Sequence, residues 1–600
     1  MSPRALLLAL LFFTTAPPSG AAPASQLIPV DALMQDAALA TPVDNAAFYP
    51  GAGVRSAPAF SGTLRIAQST MRTKPELPSP IVDGRDARLF PSVTLGFFTD
   101  GDLLVPVERG EMVRETAAVS TPSYWRVIPQ FGRVWRESAD RGWSRAAFPI
   151  MLVNDTENAA HQGLATFVYR DGKVSALKFQ FVQQTAPWLV RPHMVAWGGA
   201  KLELLPGTPD ALDAQRARAR EELAQRLPAK PWSELVKQAP PGTLDGFGDD
   251  LVPAYRVGAA LIKDGTLYYK EVATPYGPYP YPLEMRFGVR SITKSVGPGL
   301  SMLRLAQVYG PWIFTLRIGD YVKGLDPKYD RIRFIDAANM ATGFGGTGTT
   351  KTNPNDIFDG YLGGDYDAWY TARSNADKIR EIRKNLKPYP WEPGMVMRYR
   401  DQDYYLLGVA LDGFIKSQLG PDADIWEWLQ KEVLRPIGIA HAPAVHTREA
   451  GGKDGVIWYN AGYYPTLDDL AKIALLYQNA GAYHGQQLLN RQLTQDALTA
   501  HCALIKAGDA SMNRACIDGG TTKEPLYRTG FHYLPYVGSK SGKQYSLPSM
   551  HGAGDNEVVL YPNGLVSIRT SSADGLPEGT KTRTSEEPLT IQAVDRLAPF

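Results

Sequence analysis

"MRFGVRSITKSVGPGLSMLRLAQVYG", residues 285–310, changes from a strand-like run to a helix-like one at Ser291. Leu300, Met302, Leu303, Leu305 and Val308 recur at helical spacing behind it. On a helix, Lys294 lies one turn beyond Ser291 on the same face, within reach of the serine oxygen. A serine attacks an acyl carbon only when a neighbour takes its proton, and a partly desolvated lysine has a lowered pKa suited to that task. At a helix start the serine N–H also points outward, where it can stabilise an oxyanion. Spacing alone is not decisive, because Ser175 and Lys178 repeat it in "SALK". That copy sits in an alternating strand pattern, which predicts opposite faces and a structural role.

Bulk properties narrow the field. A chain of 600 residues exceeds one ordinary core, and 44% hydrophobic with 21% charged residues is a globular composition. A net charge of +2 gives no support to nucleic-acid or polybasic membrane binding. The start, "MSPRALLLALLFFTTAPPSGAAPASQ", has Arg4, an apolar run Ala5–Phe13 and a small-residue site Ala22-Pro23-Ala24. It predicts a signal peptide over 1–24 and a periplasmic or secreted protein, since the run is too short to span a bilayer. No later run is long enough to span. Cys502 and Cys516 are the only cysteines, and either a local disulfide or two free thiols fits them.

Residues 25–236 read as a β-rich accessory domain ending in a connector helix. Hairpin signals stand at Asp100-Gly101 and Asp171-Gly172, and "DALDAQRARAREELAQRL", 210–227, is a charged helix. The Pro/Gly-rich 237–250 marks the boundary with a second domain, 237–600. The second domain opens with two strands around Asp264-Gly265 and ends with a hairpin turned by Pro562-Asn563-Gly564. Helices lie between, so the expected fold is α+β with its terminal strands in one sheet.

Two distant segments could complete a site around Ser291. In "EPGMVMRYRDQDYYLLGVALDGF", Tyr399 and Asp401 precede a helix expected to start near Tyr404. In "MHGAGDNEVVLYP", His551 and two glycines precede the final strands, and glycine lets a backbone N–H approach a substrate closely. The order Ser291-x-x-Lys294, Tyr399-x-Asp401, His551-Gly552-Ala553 resembles the serine β-lactamase/penicillin-binding-protein superfamily. The class C-like branch, with its carboxylesterases, D-aminopeptidases and DD-peptidases, is the closest match. "YRVGAALIKDGTLYYKEVA", "FTLRIGDYV", "RIRFIDAANMATGFGG" and "NAGYYPTLDDLAKIALLYQNAG" resemble its flanking segments in the same order, over roughly 250–600.

The resemblance implies a β-lactamase/DD-peptidase-like fold, an antiparallel sheet flanked by helices with a helical subdomain. It implies Ser291 as acylated nucleophile, Lys294 as its proton partner and Tyr399 as the group that shuttles the proton. The N–H groups of Ser291 and Gly554 would form the oxyanion hole, with His551 where the family has lysine. No metal or organic cofactor is implied, and the partner would be a small-molecule or peptide-like acyl substrate.

Three departures stand out. Asp401 replaces an asparagine, and an anion there favours protonated Lys294 and shifts the base role toward Tyr399. His551 is a weaker, pH-dependent cation, which argues for esterase or peptidase-like activity over a true β-lactamase. Pro298 removes the N–H that would bond the Lys294 carbonyl, either re-aiming the lysine or only costing stability. A non-catalytic binding or scaffold protein on this fold is the rival reading. "GFGGTGTTKT", 343–352, lacks the glycine before lysine that a phosphate loop needs, and "TDGD" at 99–102 reads as a turn. "GYLGGDYDAWYTAR", 360–373, fits a cleft lining or plain packing equally.

Overall fold

A computed structural model describes residues 27–185, 187–325, 327–345, 366–384, 387–388, 392–394, 397–499, 527–574, 576, 579–585 and 587–600. The expected signal segment, both cysteines, most of 343–352 and the start of 360–373 lie outside the described residues. Among those described, no helix is long and apolar enough to cross a membrane.

Over the described residues, the chain is an α+β molecule built on two large sheets. The first has 12 strands between Ser61 and Leu205, and its two expected hairpins are present. Val93–Asp100 pairs with Leu103–Pro106, and His161–Arg170 pairs with Leu177–Gln184. Strand Ser144–Val153 shows how the sheet is used, because it is buried along its whole length. Side chains alternate between faces with period two. Ala146, Phe148, Ile150 and Leu152 enter a core closed within this sheet. Ala147, Met151 and Val153 belong instead to the cluster that continues into the rest of the chain. In "SALK", which runs from the turn into strand Leu177–Gln184, Ser175 Oγ accepts from the Val168 N–H at 2.9 Å, and Lys178 donates to the Ala37 carbonyl at 2.7 Å. Both side chains are spent on backbone, so that pair is structural.

The second sheet has seven strands, in the order Ala229–Pro231, Thr266–Tyr269, Arg256–Lys263, Val566–Ser571, Asn556–Leu560, Gln544–Gly552, His532–Val537. The opening and closing hairpins of the second region therefore share a sheet through the antiparallel pairing of Arg256–Lys263 with Val566–Ser571. Ala229–Pro231 joins this sheet in parallel with Thr266–Tyr269, so the sheet begins before the boundary expected at 237. The charged connector is a helix over Leu212–Ala224. Helix Leu467–Gln478 is opened by a capping box between Thr466 and Asp469.

One apolar cluster holds the two sheets together. It contains Trp135, Met151 and Val153 from the first sheet, and Met285, Phe287, Val289 and Ile292 leading into the serine helix. Fully burying side chains of this size contributes about 1.5–3 kcal/mol each. The segment that carries Ser291 is thus set by packing from both regions.

Candidate active site

Val289, Arg290 and Ser291 form the turn from extended chain into helix. Arg290 adopts φ +52, a left-handed conformation rare for a side chain of this kind. The helix then runs as Ile292–Lys294, a wider π turn over Ser295–Gly299, and Leu300–Tyr309. Pro298 sits inside the π turn. A π turn lets a helix absorb the missing N–H without breaking. The proline therefore reshapes the helix beyond Lys294 and leaves that side chain on the serine.

Lys294 is fully buried, and three of the oxygens around its ammonium lie within 2.8 Å. They are Ser291 Oγ at 2.6 Å, the Asn460 carbonyl at 2.8 Å and Asp401 Oδ1 at 2.6 Å. The Tyr399 hydroxyl bonds both Ser291 and Lys294, and the Lys294 Nζ lies 5.0 Å from the centre of the tyrosine ring. Four of the residues expected from sequence, Ser291, Lys294, Tyr399 and Asp401, thus converge.

Tyr399 is held by its neighbours rather than by regular structure. It lies in extended chain just before a helix that starts at Asp401, not near Tyr404 as expected. The Arg398 N–H donates to the Met340 carbonyl at 2.8 Å, which ties this segment to "RIRFIDAANM". The Tyr404 hydroxyl donates to the Ala338 carbonyl at 2.6 Å and repeats the tie one helical turn on. The earlier helix start places Asp401 in the first turn, where the macrodipole favours a carboxylate.

The electrostatics are those of a coupled buried site. Burial works against the Lys294 ammonium, but Asp401 and then Tyr399 outweigh it and raise its pKa. Burial raises the Tyr399 phenol, with Asp401 adding to the rise and Lys294 opposing it. The Tyr399 hydroxyl therefore holds its proton at neutral pH. Asp401 has a second partner that sequence reasoning did not assign. The Tyr366 hydroxyl donates to its Oδ2 at 2.5 Å. Tyr366 lies in "GYLGGDYDAWYTAR", and it also stacks on Tyr370, so packing and site support coincide there.

The third motif borders the site. His551 lies near the end of strand Gln544–Gly552, with its side chain 37% exposed and Nδ1 3.7 Å from Glu557. Its ring meets that of His532 at 5.6 Å, and His532 stacks on Tyr399 at 5.6 Å. Burial, helped by His551 and Lys294, drives His532 down to about 3, so it is a neutral ring. Burial acts to raise Glu557, but Arg569 and His551 hold it down at about 2. His532 was missed because a lone histidine in a strand carries no sequence signal.

The backbone of Gly552 meets the nucleophile turn. A Cβ at Gly552 would lie 2.1 Å from the Val289 carbonyl and 3.2 Å from Ser291 N. Gly554 follows in the turn beyond the strand end, at φ +82. The glycine at 552 is thus required by contact.

No family model and no curated protein matches the chain. Among solved structures, a putative 6-aminohexanoate-dimer hydrolase from Bacillus anthracis is similar at 15% identity. The match covers 62% of this chain and 86% of that one, with a TM-score of 0.41. A putative beta-lactamase from Bacteroides dorei DSM 17855 is similar at 13% identity over 57% and 94% of the two chains, with a TM-score of 0.38. A class C beta-lactamase in complex with cefoxitin is similar at 13% identity over 57% and 92%, with a TM-score of 0.35. The activities in those names belong to those proteins.

Proposed function

We propose that this chain is an exported serine hydrolase of the β-lactamase/penicillin-binding-protein type, which cleaves an ester or amide through an acyl-enzyme on Ser291. The observation that carries the proposal is the 2.6 Å contact of Lys294 Nζ with Ser291 Oγ, with the Tyr399 hydroxyl bonded to both. Nucleophile, base and acid within mutual hydrogen-bond reach are what acyl transfer needs. Export rests on the N-terminal sequence alone.

Lys294 can accept a proton only after losing one of its own, so the active form is the neutral amine. In that form it takes the Ser291 proton as Oγ attacks the acyl carbon. Tyr399 delivers a proton to the leaving oxygen or nitrogen and is resupplied by Lys294. In deacylation, water attacks the ester carbonyl and the proton returns along the same groups to Ser291 Oγ. The Ser291 N–H heads the helix and faces the developing oxyanion. The second donor is assigned to the 552–554 backbone, in which Gly554 stands at the family's position. His551, half-exposed at the site border, offers one imidazole where the family has a lysine ammonium, a weaker hold on a substrate carboxylate. That favours esterase or peptidase-like substrates over β-lactams.

A fluorophosphonate probe tests this directly. Peptide mass spectrometry should place the label on Ser291, Ser291→Ala should abolish it, and labelling should quicken as pH rises. An unlabelled wild type that also ignores penicillin-type probes and a panel of chromogenic esters would leave the non-catalytic scaffold as the better reading.

A further inference from the structure

The loop between strands Ser144–Val153 and His161–Arg170 is unlike an ordinary hairpin connection. Loops normally run over the surface, yet every residue of 154–160 is buried, with Asn154, Glu157 and Asn158 fully so. It enters the second region beneath the nucleophile. Asn154 shapes the loop, its Oδ1 accepting from the N–H groups of Thr156 at 2.9 Å and Glu157 at 2.8 Å. Glu157 accepts from the Trp188 N–H at 2.5 Å and the Tyr124 hydroxyl at 3.0 Å, and lies 3.9 Å from the Arg290 guanidinium.

Asn158 makes the decisive contacts. Its Oδ1 accepts from the Arg290 N–H at 2.8 Å, at the residue whose left-handed φ aims Ser291. Its Nδ2 donates to the Tyr463 carbonyl at 3.1 Å. Tyr463 in turn donates its N–H to Thr293 Oγ1 at 3.1 Å, and the same segment supplies the Asn460 carbonyl that holds Lys294. The Asn158 carbonyl also leaves no room at Gly288, where a Cβ would lie 1.9 Å from it. One side chain therefore pins both segments that determine where Ser291 Oγ and Lys294 Nζ meet.

We propose that Asn158 is a positioning residue for the Ser291–Lys294 pair, so that the β-rich region supplies part of the hydrolase site instead of serving as an accessory to it. The proposal rests on the hydrolase reading above and deepens it. An asparagine offers both the acceptor and the donor that the two segments require. A misplacement of about 1 Å in such a pair costs about 10²-fold in rate.

The test uses the full chain with Asn158→Ala, and Asp155→Ala as control. Asp155 joins Arg126 and Arg448 across the same junction but touches neither pinned segment. Asn158→Ala should slow fluorophosphonate labelling and kcat for a p-nitrophenyl ester about 10²-fold at unchanged KM. Asp155→Ala should lower Tm while keeping kcat. If Asn158→Ala fails to fold, Asn158→Asp, which keeps the acceptor and loses the donor, carries the same comparison.

A second measurement does not depend on the native reaction. In a Ser291→Cys background, alkylation of the introduced thiol by iodoacetamide reads how well Lys294 stabilises the thiolate. Adding Asn158→Ala should slow it about tenfold or more at pH 7. An unchanged alkylation rate, or a kcat loss that only tracks Tm in both variants, overturns the positioning role. If the wild type shows no hydrolysis or labelling, the hydrolase reading has failed, and the thiol alkylation comparison still decides the positioning role.

Discussion

Asp401 is the residue at which chemistry and stability pull against each other. Its carboxylate sits 2.6 Å from Lys294 Nζ and raises the lysine pKa, although burial of Lys294 works the other way. In the proposed mechanism Lys294 must be neutral to accept a proton, so Asp401 would push activity to higher pH. The sign for stability is opposite. A lysine whose folded pKa is raised contributes stability that is complete below its unfolded value of about 10.4 and is lost as pH rises through the folded value. Asp401→Asn should therefore move the rising limb of kcat/KM to lower pH by about 1–3 units, the range for removing one close charge. It should also weaken the fold near neutral pH, and breaking such a buried pair costs about 3–5 kcal/mol. A pH–rate profile and a denaturant melt read the two effects separately, and a limb that stays in place would show that Lys294 is not the titrating base.

At the scale of elements, the serine helix and helix Asp401–Leu419 are brought together over one aromatic ring. Gly297 in the π turn and Gly408 in the other helix lie on opposite edges of Tyr459. A Cβ would come 2.5 Å from Tyr459 Cδ1 at the first and 2.7 Å from Cδ2 at the second. Gly408→Ala should therefore destabilise the protein by about 1–3 kcal/mol, the usual penalty of overpacking. It should also slow acylation, because Tyr399 and Asp401 lie at the start of the helix that would be displaced. Thermal melts and labelling rates test this, and an unaltered rate would show that the helices do not transmit the shift. The π turn explains why Pro298 is tolerated. A helix with a wider turn does not need the N–H that proline lacks.

For the whole molecule, the two sheets share a core and a polar junction. Met285, Phe287 and Val289 of the second region pack in the same cluster as Met151 and Val153 of the first. Asp155 is paired with Arg448 across the junction at 2.6 Å. Expressed alone, 237–600 would expose this apolar face and lose strand Ala229–Pro231. It should be insoluble or aggregate, as judged by soluble yield and size-exclusion chromatography beside the full chain. A monomeric fragment with a cooperative melt would show that the second region is self-sufficient.

The features legible in the sequence are local ones. Period-two and helical patterns and Asp-Gly turns are short-range, so the hairpins, the connector helix and the α+β order could be read directly. Ser291, Lys294, Tyr399 and Asp401 were also legible, because each follows a turn or starts a helix in a recognisable order. The supports of that site were not. Tyr366 on Asp401, His532 on Tyr399, the Asn460 carbonyl on Lys294 and Asn158 on Arg290 are long-range contacts. No spacing rule links them, since a hydrogen bond depends on distance in space and not along the chain. By itself the sequence determined which groups could carry the chemistry. Only the tertiary structure decided that they meet, that Gly552 packs on the nucleophile turn, and that a buried loop of the β-rich region underlies the serine.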